Sequence, residues 1–110
     1  MKIEEKENRV FFNYDDKSFA NISINKESLK LELLETLPKF RHQHNATKLM
    51  KIILNYIIKR HKEKKIYLNP LPLDRWGLKL EKLVAFYAKF GFKSSSKKER
   101  HCPFLMEKAI

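Results

Sequence analysis

The apolar periodicity of this chain switches once, from about two to about 3.6, and that switch restricts the folds open to it. Residues 10–14 (Val-Phe-Phe-Asn-Tyr) are β-branched and aromatic, and Asp15, Asp16 and Lys17 then supply a turn. Across residues 18–25, Phe19, Ala20, Ile22 and Ile24 sit among Asn21, Ser23 and Asn25, a period near two. Lys26 and Glu27 turn the chain into residues 28–37, where Leu29, Leu31 and Leu33 alternate with Lys30 and Glu32. Pro38 stops that run, because it lacks an N–H and restricts the residue before it. Three strands in succession predict an antiparallel meander.

The pattern then becomes helical. From about residue 45 to 62, Ala46, Leu49, Met50, Ile53, Tyr56 and Ile57 share one face, with Lys48, Lys51, Asn55 and Lys59 elsewhere. The helix ends in Lys59, Arg60, His61 and Lys62, cations that suit the negative end of its dipole. A short strand at residues 66–68 leads to Pro70 and Pro72. Strand, helix and strand in this order predict a right-handed crossover joining a parallel pair. A second helix is expected over residues 80–90, with Leu80, Leu83, Val84, Tyr87 and Phe90 on one side and Gly91 ending it. A polar, basic loop and a last strand near residues 104–108 complete the chain. The expected fold class is α+β: a mixed, mostly antiparallel sheet of five or six strands with two main helices, splayed at the central parallel pair. Residues 1–110 are read as one domain, with no internal repeat and no linker long enough to divide it.

Composition narrows the function classes. A hydrophobic share of 43% and a charged share of 34% describe a folded chain rather than a disordered one. The most apolar stretch, residues 49–58, is broken by Lys51 and Asn55 and falls short of the roughly 18–20 residues that cross a bilayer. No apolar segment follows Met1 that could serve as a secretory signal. Cys102 stands alone, so no intramolecular disulfide forms, and a reducing compartment, the cytoplasm, is the expected location. A formal charge of +11 favours contact with polyanions, among them nucleic acid or a phosphorylated cofactor.

Two segments carry a more specific signal. Leu37-Pro38-Lys39-Phe40-Arg41-His42-Gln43-His44-Asn45-Ala46-Thr47-Lys48-Leu49 resembles the strand-to-helix junction of GNAT N-acetyltransferases. That family places Arg or Gln, two residues, Gly, one residue, then Gly or Ala at the helix start; Arg41 and Ala46 hold their places, and His44 stands where Gly is expected. Leu80-Glu81-Lys82-Leu83-Val84-Ala85-Phe86-Tyr87-Ala88-Lys89-Phe90-Gly91-Phe92 is similar to the family's Leu-x-x-Phe-Tyr-x-Lys-x-Gly-Phe signature. The order of elements agrees over residues 10–110.

The resemblance implies acetyl-CoA as co-substrate. The main-chain amides of His42, Gln43, His44, Asn45, Ala46 and Thr47, with Arg41, would hold its pyrophosphate, a role that suits the unpaired N–H groups of a helix N-terminus. Thr36, at the end of the third meander strand, would pair with the pantetheine arm. Tyr87 falls where the family's tyrosine protonates or hydrogen-bonds the departing sulfur, and Glu35, or Glu32 on the same strand, is the candidate general base. Measured against the family, the chain begins essentially at the second strand and lacks the helices that often form a substrate lip. A large acceptor is therefore expected, a macromolecular primary amine such as one on a protein, or a partner chain that completes the cleft, such as a second copy in a homodimer. The alternative is a non-catalytic module of the same fold, its cradle closed by the His44 ring, that binds nucleic acid or a protein partner.

Other signals carry less. His42, His44, His61, His101 and Cys102 show no metal-ligand spacing, and Cys102 has no evident base. The basic runs at residues 59–65 and 93–100, with Tyr67, Trp76 and Phe104 as stacking faces, would suit nucleic acid. A membrane surface is not expected as a partner, since the apolar helix faces are needed to cover the sheet.

Overall fold

The computed structural model describes residues 1–41, 43–61, 64–70, 79–95 and 105–109. Strands β1 (Lys2–Lys6), β2 (Arg9–Tyr14), β3 (Ser18–Ile24) and β4 (Ser28–Thr36) follow one another as an antiparallel meander. Periodicity anticipates the last three and misses β1. Its sequence, Lys-Ile-Glu-Glu-Lys, has one large apolar residue and all five positions are exposed, so pairing with β2 alone makes it a strand. Asp15 and Asp16 take left-handed angles (φ 51° and 56°) as the central residues of the turn that Lys17 N–H closes on Tyr14 C=O at 2.9 Å.

Val10, Phe12, Ala20, Ile22, Leu29 and Leu31 form the buried side of the meander. Helix α1 (Asn45–Arg60) covers them with Leu49, Met50, Ile53, Tyr56 and Ile57, the face its 3.6 period predicts. Each large side chain so buried contributes roughly 1.5–3 kcal/mol, which outweighs the indifferent helix propensity of its isoleucines. The chain returns as β5 (Lys65–Leu68), parallel to β4, and then forms helix α2 (Leu80–Ala88), β6 (Lys93–Ser94) and β7 (Met106–Ala109). The sheet order is β1-β2-β3-β4-β5-β7-β6, antiparallel except at β4–β5. Among the described residues it holds seven strands where five or six were expected, β1 being the addition. α2 stops at Ala88, two residues before the expected Phe90; Gly91, at φ 93°, turns the chain so that Phe92 is buried.

One irregularity matters for the site. Asn21 faces Leu33 while Ile22 faces Leu31, so Glu32 is an extra residue, a β-bulge, in β4. A single extra residue exchanges the two faces of everything beyond it. Leu29 and Leu31 point to the core before the bulge; Leu34, opposite Ala20, and Thr36, opposite buried Ser18, do so after it. On the far flank, buried Glu107 of β7 accepts a hydrogen bond from Ser95 Oγ at 2.8 Å and pairs with Lys65 Nζ at 2.9 Å. That carboxylate raises the pKa of Lys65 and ties β5 to β7.

Candidate active site

The β4–β5 ladder runs from Ser28–Lys65 to Leu31–Leu68 and ends there. Among the described residues, residues 33–36 of β4 pair only with β3, so the parallel strands part at their C-terminal ends, as expected. The orientation of the backbone beyond this point follows from the ladder. Leu37 N–H donates to Lys17 C=O at 2.9 Å, and hydrogen-bonded pairs alternate along an antiparallel ladder. Glu35 and Leu33 therefore turn their backbone groups toward β3, and Leu34 and Thr36 turn theirs toward the open side. The Thr36 carbonyl confirms this by accepting Arg41 Nε at 3.2 Å. On the core side, Ser18 Oγ and Thr36 Oγ1 lie 2.7 Å apart and share a hydrogen bond that pins the strand end.

Next to this open edge is the start of α1. A 3-10 turn, Pro38–Phe40, leads through extended Arg41 to His44, which takes the left-handed conformation (φ 61°, ψ 19°). The backbone thus keeps a glycine-like conformation at the position where the resemblance calls for glycine. The His44 side chain is exposed and makes no capping bond. Asn45 is buried and its Nδ2 donates to Phe40 C=O at 2.9 Å, which staples the loop across its mouth. The first intrahelical bond runs from Lys48 N–H to His44 C=O at 3.0 Å, so the amides of Asn45, Ala46 and Thr47 have no acceptor within the helix. The first turn of α1 carries no acidic residue.

These residues fit a pyrophosphate. Amides with no acceptor among the described residues gather at a positive helix end, Ala46 is small, the Asn45 side chain is tied back, and the exposed His44 ring does not form part of the buried packing. Gln43 is exposed, Thr47 is half-buried, and His42 lies outside the described residues.

Tyr87, on α2, is 7% exposed and packed edge-on against Phe86 and Phe92, with ring centroids 5.2 and 6.0 Å away. Burial pushes its hydroxyl up to about 12. Among the described residues no hydrogen bond or ring contact joins Tyr87 to the β4–α1 junction. Glu35 is exposed and stands opposite Phe19, on the face of β4 turned away from Thr36. The structure thus unites Thr36, Arg41 and residues 43–47, and puts Glu35 on the other face of β4; Tyr87 stands on a separate element, α2. Sequence reasoning missed Leu34 as a contributor to the open edge and Asn45 as a staple. The doubled Leu33-Leu34, which breaks the alternation of Leu29 and Leu31, is the signal that marks the bulge. Of the basic and aromatic residues noted for nucleic acid, Trp76 and Phe104 lie outside the described residues and Tyr67 is half-buried in β5.

Comparison with known proteins supplies the frame for this geometry. The profile of the acetyltransferase (GNAT) domain family matches residues 1–106. The chain belongs to that family. No curated protein matches the sequence. Among solved structures, the anti-CRISPR protein AcrVA5 aligns with a TM-score of 0.77 at 16% identity, over 94% of this chain and 100% of its own. The PaiA N-acetyltransferase from Thermoplasma acidophilum, solved in complex with coenzyme A, aligns at 0.66 and 20% identity, over 93% of this chain. This chain spans 60% of the length of that PaiA chain. Arabidopsis thaliana Naa50, solved with the bisubstrate analogue CoA-Ac-MVNAL, aligns at 0.65 and 18% identity, over 94% of this chain and 74% of its own. At these identities the three establish the shared GNAT fold.

Proposed function

We propose that this GNAT domain transfers the acetyl group of acetyl-CoA to a primary amine carried by a macromolecule. The observation that carries the reading is the open edge of β4 beyond Leu31–Leu68, set beside a helix N-terminus that is free of acidic residues and has unpaired amides. The amides of Asn45, Ala46 and Thr47 bind the pyrophosphate, with those of His42, Gln43 and His44 and the Arg41 side chain completing the cradle. The backbone of Leu34 and Thr36 aligns the pantetheine arm, much as an added strand would pair there. Acetyl-CoA supplies the activated thioester. The solved complexes of PaiA with coenzyme A and of Naa50 with CoA-Ac-MVNAL support this choice of co-substrate and of a large acceptor.

Tyr87 keeps its proton at neutral pH because burial raises its hydroxyl to about 12. An ordinary thiol titrates near about 8.5, so full proton transfer from Tyr87 to the leaving sulfur is uphill. Its contribution is a hydrogen bond to that sulfur, and solvent delivers the proton. Glu35, exposed on the strand beside the open edge, takes the proton of the incoming amine, directly or through water.

Isothermal titration with acetyl-CoA is the deciding experiment. The expected result is micromolar affinity, weakened at least about tenfold by Arg41→Ala, since a charge-assisted contact is worth roughly 1.5–3 kcal/mol. Absence of binding at millimolar acetyl-CoA would overturn the enzyme reading and leave a binding module of the same fold.

A further inference from the structure

Charge is unevenly distributed along this chain. Residues 1–36 hold eight carboxylates and six lysines and arginines, whereas residues 37–110 hold five and eighteen. Between Glu35 and Glu63 there is no Asp or Glu, and Lys39, Arg41, Lys48, Lys51, Lys59, Arg60 and Lys62 all fall in that interval. The fold makes most of this stretch into α1. The buried face of the helix takes the apolar residues, and Lys48, Lys51, Asn55 and Lys59 remain exposed at spacings of three, four and four. At 100° per residue they form one line along the outward face, about 16 Å from Lys48 to Lys59.

A solvated helix face ordinarily mixes signs, because Glu and Lys at i,i+4 stabilise it and like charges cost a similar amount. Here no carboxylate pairs with Lys48, Lys51 or Lys59 among the described residues. Arg60, off the line, does have a partner, Glu5 at 3.6 Å. Lys64 and Lys65 are also engaged, with Asn25 C=O at 3.2 Å and Glu107 at 2.9 Å. The cations of the basic run after α1 are therefore partly engaged by other groups of the fold, whereas Lys48, Lys51 and Lys59 make no ion pair among the described residues.

We propose that the outward face of α1 docks the sugar–phosphate backbone of a nucleic acid, with Lys48, Lys51 and Lys59 meeting phosphates and Asn55 donating between them. A line of about 16 Å is long enough for its three lysines to meet separate phosphates of one strand. Contacts of this kind fix position and read no sequence. An anionic membrane fits less well: surface helices insert an apolar face, and that of α1 is spent on the sheet, leaving Ile58, at 45% exposure, beside the line. The proposal does not depend on acetyl transfer, and its test uses no acetyl-CoA.

Anisotropy of a labelled 20-base-pair duplex DNA, titrated with the whole chain between 50 and 200 mM salt, measures affinity and its salt slope. Lys51→Gln/Lys59→Gln, remote from the helix N-terminus, is expected to weaken binding at least about tenfold and to lower the slope by about two. Lys2→Gln/Lys26→Gln, an equal loss of charge on the meander, should leave the slope nearly unchanged. Circular dichroism melts check that both variants stay folded. Equal losses in the two double variants, or an unchanged slope in Lys51→Gln/Lys59→Gln, would overturn the proposal, as would binding of phosphatidylserine vesicles in place of DNA.

Discussion

At its C-terminal end, α1 meets its own dipole with cations. Lys59 and Arg60 lie in the last turn, the Arg60 guanidinium stacks 4.1 Å over the Tyr56 ring and pairs with Glu5, and His61 N–H closes on Ile57 C=O at 2.8 Å. Burial, with Lys64 next in effect, lowers the pKa of His61. At its N-terminal end the same helix has no acid, a lysine at the fourth position, an arginine just upstream and a strained residue as its cap. Cations favour a helix C-terminus by roughly 0.3–1 kcal/mol and disfavour the N-terminus by a similar amount. The first arrangement stabilises the fold. The second costs stability, a cost for which the pyrophosphate seat proposed above would account.

The sharpest way to break this contrast is to repair the N-terminus. Ala46→Asp gives the dipole the carboxylate it lacks, so thermal stability should hold or rise by about 0.3–1 kcal/mol. Acetyl-CoA affinity, measured by calorimetry, should fall by about a hundredfold or more, because a negative charge then occupies the pyrophosphate seat. A variant that gains stability and still binds would show that the seat is not where the geometry puts it.

Tyr87→Phe separates chemistry from packing. Turnover should fall about 10- to 100-fold with acetyl-CoA affinity unchanged, the worth of one hydrogen bond to a charged sulfur. The folded-state hydroxyl, near 12, lies above its ordinary value of 10.0, so the folded state holds this proton more tightly than the unfolded chain. Stability linked to it is complete below pH 10 and is lost as pH rises from 10 to 12, about 2.7 kcal/mol in all. Urea titrations across that window should show the loss in the native protein and not in Tyr87→Phe.

Smaller effects test the caps. His44→Gly removes the cost of a left-handed non-glycine residue and should raise stability by up to about 1 kcal/mol in urea unfolding, with acetyl-CoA binding equal or tighter. Weaker binding in that variant would mean that the imidazole itself meets the anion. At the other end, the buried Tyr56 hydroxyl has no hydrogen-bond partner among the described residues, so Tyr56→Phe should gain about 0.5–1 kcal/mol without affecting acetyl-CoA.

Much of this was legible in the residues. The change of period located β2 through β5 and both helices, and the two motifs pointed to Thr36, Arg41 and residues 42–47. Backbone pairing made a strand of β1, whose side chains carry no pattern, and that is why periodicity passed over it. Sequence alone also placed the cations of α1 on a common face, since helical geometry follows directly from spacing. The two sides of β4 were decided by tertiary structure. Unbroken alternation from Leu29 and Leu31 would send Glu35 to the core and Thr36 outward. The bulge at Glu32 reverses them, bringing Thr36 to the Ser18 side, beside Arg41, and leaving Glu35 in solvent. Register is a property of two strands packed together, and one strand's sequence does not contain it.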